Sequence, residues 1–112
     1  MGNDEQLNED LEKAAKASGE KVWQLPCGDE YADEMKSKIA DLKNSGGRWG
    51  GACTAAAFLR QFVDDKKWAH LDIAGVDCFE KSTPTAAEGA SAFGVRLLTT
   101  YLMNLASDKK RK

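Results

Sequence analysis

Few side chains in this 112-residue chain can do chemistry: one histidine, three cysteines and a glycine-rich turn. His70 and Asp72 alternate along Trp68–Gly75 and so share one face of an extended segment, with Cys53 in the apolar run before it. A thiolate, an imidazole and a carboxylate are the parts of a nucleophilic device, which requires all three to converge in space. Cys53 stands among alanines, in Ala52-Cys53-Thr54-Ala55-Ala56-Ala57, where a cysteine reads as a packed, inert thiol. Cys27, Cys53 and Cys78 are far apart and form no Cys-x-x-Cys pair, so neither a zinc site nor a disulfide framework is expected. Gly46-Gly47-Arg48-Trp49-Gly50-Gly51 precedes a helical stretch, as a phosphate cradle does. Its spacing is not G-x-G-x-x-G, and no Gly-Lys-Ser/Thr follows. The glycines are better explained by the close approach they permit to a helix of small residues.

The elements that must carry these residues follow from periodicity. Leu7, Leu11, Ala14 and Ala15 form one apolar stripe, predicting a first helix with Asn3 as its cap, acidic residues at its front and a stop at Gly19. Val22, Trp23 and Leu25 belong to a short extended piece. A second helix opens at Gly28-Asp29-Glu30 and carries Lys36 and Lys38 at its rear. From Ala52 to Val63 the chain is apolar and small-sided nearly all round, predicting a central helix. Trp68–Gly75 alternates as a strand with partly apolar faces on both sides, the pattern of an interior strand. Its neighbours are hard to find in the chain. The seventeen residues Val76–Ala92 lack periodicity, and Phe93–Ala106 returns to helix with Leu98, Tyr101, Leu102 and Leu105 on one stripe.

Composition limits the function classes. Sixteen basic and eighteen acidic residues give a net charge of -2, without the basic excess that a phosphate backbone selects, so no nucleic-acid partner is expected. At 42% hydrophobic and 30% charged, the chain has ordinary globular composition. No apolar run reaches the roughly 18–20 residues of a membrane span. The acidic start, Met1-Gly2-Asn3-Asp4-Glu5, is unlike a secretory signal. An odd number of scattered cysteines fits a reducing compartment, the cytoplasm or an organelle interior.

Several stretches taken in order carry a resemblance: Val22-Trp23-Gln24-Leu25-Pro26, Ile39-Ala40-Asp41-Leu42-Lys43-Asn44, Gly46-Gly47-Arg48, Gly51–Leu59 and Trp68–Gly75. From about Asn3 to about Leu105 the chain resembles the C-terminal end of leucyl aminopeptidases of the hexameric cytosol type. The fold this implies is α/β, a helix-rich C-terminal segment of an α/β/α catalytic domain with one clear strand and about four helices. Residues 1–107 are then a single domain and 108–112 a basic tail. Members of the family remove N-terminal residues from peptides, favouring leucine, with two divalent metals, zinc or manganese, held by a lysine and carboxylates. The last two ligands and a catalytic arginine lie in Asn-Thr-Asp-Ala-Glu-Gly-Arg. This chain lacks that motif; Ala87-Glu88-Gly89-Ala90 is the nearest string and lacks both the Asp and the Arg.

The resemblance therefore implies no catalytic residue, no metal ligand and no cofactor held by this chain itself. What it carries over is a substrate pocket. Ala74 and the Asp77 position line the pocket for the N-terminal side chain, and the Ser45 position lies near the pocket for the following residue. Asp77 and Ser45 are more polar than walls for leucine need to be. Ala92-Phe93-Gly94 also departs from the family's usual Thr-Gly-Phe/Arg-Gly/Pro. A protein partner or larger assembly completing the fold is expected, with a peptide as substrate only once it is complete.

Overall fold

The computed structural model describes residues 1–84 and 86–109, the last through its backbone alone. It contains four helices and one two-stranded sheet, in the order α1 (Glu5–Ser18), α2 (Asp29–Asp33), α3 (Gly51–Arg60), β1 (Cys78–Phe79), β2 (Gly89–Ala90) and α4 (Val95–Lys109). The helix-rich α/β character expected from the sequence holds, with four helices. The described residues fall into two compact units. One comprises Met1–Asn8 with Gln24–Leu71, and the other Glu9–Trp23 with the described residues from Asp72 onward.

Helix α1 buries Leu11, Ala14 and Ala15, three of the four residues on its predicted stripe. The cap is Asp4 rather than Asn3: Asp4 Oδ1 accepts the Leu7 N–H at 2.8 Å. Asn3 is committed elsewhere, its amide donating to the Lys66 carbonyl and accepting the Trp68 N–H, both at 2.8 Å. Gly19 terminates the helix as expected, with φ of 77° and its N–H on the Ala15 carbonyl at 3.0 Å.

In the first unit, α2 packs on α3. Helix α2 ends at Asp33, well short of the predicted Lys36–Lys38, because the chain turns back on itself: Lys43 N–H donates to the Met35 carbonyl at 2.7 Å and Lys36 bridges Leu42. Met35, at 1% exposed, is buried by this turn. Helix α3 stops at Arg60 and buries one face, Cys53, Thr54, Ala56 and Ala57, rather than its whole circumference. Leu59 and Phe62 remain exposed, and Phe62 lies edge-on to Phe58 at 5.2 Å. Arg60 ties the helix end to the loop before α2, donating to the Cys27 carbonyl at 2.9 Å.

Trp68–Gly75 is not a strand, and its last two residues, Ala74 and Gly75, lie in a turn. A ladder needs a neighbour along its length, and among the described residues this segment pairs with the N-terminal residues through one antiparallel bridge, between Gly2 and Ala69. Met1 and His70 add two bonds, His70 N–H to the Met1 carbonyl at 2.8 Å and the N-terminal ammonium to the His70 carbonyl at 3.2 Å. Beyond His70 the pairing ends. The sheet lies instead within the stretch expected to be irregular, with Cys78 opposite Ala90 and Phe79 opposite Gly89.

In the second unit, Glu20 fixes the start of α4. Its carboxylate, 4% exposed, accepts the N–H groups of Gly94 at 3.1 Å and Leu97 at 2.9 Å and meets Arg96 Nε at 3.5 Å. Leu97 is fully buried, whereas Leu98, Leu102 and Leu105 of the predicted core stripe are exposed together with Val95. Helix α4 therefore turns inward a face adjacent to the one its leucines suggested. The predicted tail begins inside this helix, and residues 110–112 lie outside the described residues.

Glu20→Ala strands two buried N–H donors, so urea unfolding of this variant is expected to show a loss of roughly 2–4 kcal/mol, with Glu20→Gln losing less. Asp4 supplies a pH dependence. Lys67, at 2.8 Å, and then the Leu7 N–H hold its carboxyl below the ordinary 3.8. A depressed folded value stabilises the fold above the unfolded value, and the contribution is lost as pH falls through the folded one. The melting-temperature advantage of the native chain over Asp4→Asn is thus full above about pH 4 and shrinks below it.

Candidate functional site

The Ser45 position lies in the loop before α3, within the first unit. Gly50, with φ of 65°, caps the helix in the left-handed conformation that glycine takes without strain. Gly46 lies against the helix so closely that a Cβ there would stand 2.7 Å from Thr54 Oγ1. The close-approach reading of the glycines holds at this position. Thr54 is buried and its hydroxyl donates to the Gly51 carbonyl at 3.2 Å. A cavity of about 340 Å³ opens beside this contact, lined by Met35, Ser45, Gly46, Thr54, Phe58 and Leu59 among others. Ser45 sits at its exposed rim, its hydroxyl donating to the Gly46 carbonyl at 3.4 Å. Arg48 lies 5.2 Å over the exposed ring of Trp49.

The turn that follows Leu71 lies in the other unit and carries the Ala74 and Asp77 positions. Asp72 Oδ1 accepts the Ala74 N–H at 2.9 Å, Val76 N–H donates to the Ile73 carbonyl at 3.0 Å, and Gly75 has φ of 86°. Ala74 and Asp77 are both exposed at this turn. Asp77 is not a buried charge, which removes the desolvation cost its type would otherwise carry. Ala74 and Asp77 are thus brought together in one unit, and Ser45 lies in the other.

Cys53, His70 and Asp72 each have another engagement. Cys53 is buried beside Tyr31, whose phenol is raised above its ordinary 10.0 by partial burial and then by the thiol. The His70 ring stacks on Trp68 at 6.2 Å, and Asp72 caps the turn. Cys53 is the packed thiol its alanine surroundings suggested. Among the described residues, no three His, Cys, Asp or Glu side chains are grouped so as to hold a metal ion.

Glu20 and Ser91 were not singled out by sequence reasoning. Ser91 joins the turn at 73–76 to the start of α4 through its N–H and its hydroxyl. Neither residue belongs to a local motif; each acts on backbone groups far along the chain.

Residues 1–99 match the pattern of the cytosol aminopeptidase family, catalytic domain, and the chain belongs to that family. It is 53% identical over 102 residues to a probable cytosol aminopeptidase of Geobacter sp. (strain M21), covering 91% of this chain and 21% of that protein. To the probable cytosol aminopeptidase of Pasteurella multocida (strain Pm70) it is 49% identical over 109 residues, covering 97% and 21%. Among solved structures, a tomato leucine aminopeptidase mutant superposes with a TM-score of 0.83 at 38% identity, over 92% of this chain and 20% of that one. The chain spans about a fifth of the length of these relatives.

Gly46→Ala drives a methyl group into the short, buried side chain of Thr54, so a stability loss of roughly 1–3 kcal/mol is expected. Thr54→Ala in the same chain should recover part of it, giving a double-mutant cycle whose coupling is well above the roughly 0.3–0.5 kcal/mol of independent sites.

Proposed function

We propose that this chain is the C-terminal part of a two-metal aminopeptidase domain that removes N-terminal residues, leucine above all, from peptides. In this reading it contributes walls of the substrate pocket and no metal ligand. Ala74 and Asp77 face the N-terminal side chain, and Ser45 lies near the residue that follows. The match of residues 1–99 to the family's catalytic domain carries the reading. The chain by itself is inactive, because the carboxylates, lysine and arginine of the two-metal centre have to come from outside it. A protein partner, or further length of the same polypeptide, supplies them along with the zinc or manganese. The exposed stripe of Val95, Leu98, Leu102 and Leu105 supports such a partner, since contiguous apolar surface is normally covered. Three free cysteines support a reducing compartment, and no helix among the described residues is long and apolar enough to cross a membrane.

A second reading has the chain retained as a non-catalytic structural or interaction subunit of a larger complex. The polar Asp77 and Ser45, at positions where a leucine pocket calls for apolar walls, favour it.

Purified chain should hydrolyse no leucyl-anilide with added manganese or zinc. Turnover that scales with protein concentration and disappears with a chelator would refute this. Denaturing and native mass spectrometry of the protein from its source separate the two readings. A polypeptide several times longer than 112 residues supports the peptidase. A chain of this length in a larger, inactive complex supports the subunit.

A further inference from the structure

The turn carrying Ala74 and Asp77 is closed at its entrance by Asp72, and at its exit by a single residue fourteen positions beyond Asp77. Ser91 N–H donates to the Asp77 carbonyl at 2.8 Å, and the Ser91 hydroxyl donates to the Val76 carbonyl. These bonds carry the pairing of β1 with β2 one step past its last pair, Cys78 with Ala90. Ser91 is itself held: its oxygen accepts the Phe93 N–H at 3.1 Å, and the next amide, Gly94, donates to the buried Glu20 carboxylate at 3.1 Å. Hydrogen bonds at successive amides, Phe93 and Gly94, thus link the Ser91 hydroxyl and the buried Glu20 carboxylate to the same stretch of backbone.

We infer that Ser91 is a positioning residue for the pocket of the N-terminal side chain, setting where Ala74 and Asp77 present themselves and thereby the choice among substrates. This rests on the aminopeptidase reading above. The serine hydroxyl both donates and accepts, which alanine or valine cannot do and threonine can. Loss of the hydroxyl leaves the Val76 carbonyl without this donor and the Phe93 N–H without this acceptor, while the Ser91 N–H bond to Asp77 survives. Ser91 then holds the exit of the turn at one point instead of two. A side-chain pocket discriminates by fit, so a loosened wall affects a large aliphatic side chain more than a small one.

The test compares Ser91→Thr with Ser91→Val, near-isosteric variants that differ in the hydroxyl, in the native enzyme or complex that carries this chain. With Val, the kcat/KM preference for leucyl- over alanyl-anilide is expected to fall by roughly 5–20-fold, with KM rising more than kcat falls. With Thr the preference is restored. An active enzyme whose preference is the same with Val and Thr would overturn the inference and leave the aminopeptidase reading standing. An enzyme hydrolysing no aminoacyl anilide overturns both. Hydrogen exchange on the isolated chain checks the geometry without catalysis: with Val, but not Thr, exchange at 74–77 and 91–93 should accelerate about tenfold or more, with α3 unchanged. Equal exchange in the two variants would remove the structural basis of the inference.

Discussion

The second unit depends on one buried carboxylate. Glu20 accepts hydrogen bonds from backbone groups 74 and 77 residues away, at the point where α4 begins. The first turn of a helix leaves N–H groups without intrahelical partners and carries the positive end of the dipole, so a carboxylate there satisfies both. Burial makes the arrangement demanding in return, because a charge removed from water is tolerable only while its partners stay in place. Leu97, Gly94 and the turn behind them are placed by this requirement. Arg96, mostly exposed, adds a contact that solvent screens and that matters less.

The helices were legible because their signals are local. The stripe of Leu7, Leu11, Ala14 and Ala15, the stop at Gly19 and the small-residue run after Gly51 each follow from period and composition. The strand at Trp68–Gly75 was misjudged because alternation describes a face, whereas a strand exists only with a ladder partner, and the partner here stops at His70. Asn3 and Asp4 are equally good caps by type. The choice between them came from Lys66, Lys67 and Trp68, more than sixty residues away in sequence. Side-chain bonds to distant backbone, those of Glu20 and Ser91, leave no periodic trace at all.

Helix α4 shows how a correct period can lead to an incorrect face. Its leucines mark two adjacent stripes, and the sequence stripe chosen for the core, Leu98 with Leu102 and Leu105, is the one left outside. A helical period locates an apolar face, while its burial depends on what packs against it. The candidate site has the same character. The glycine loop and the turn after Leu71 are each well defined locally, and they lie in different units.

The three cysteines grade cleanly by access: Cys53 is buried, Cys27 intermediate and Cys78 exposed. Thiol reagents react with accessible thiolates, so accessibility directs alkylation first to Cys78. That residue directly follows Asp77 and opens β1. The native chain thus carries a built-in attachment point for a fluorophore or spin label beside the turn at 73–76, and its occupancy can be followed spectroscopically without adding or deleting a cysteine.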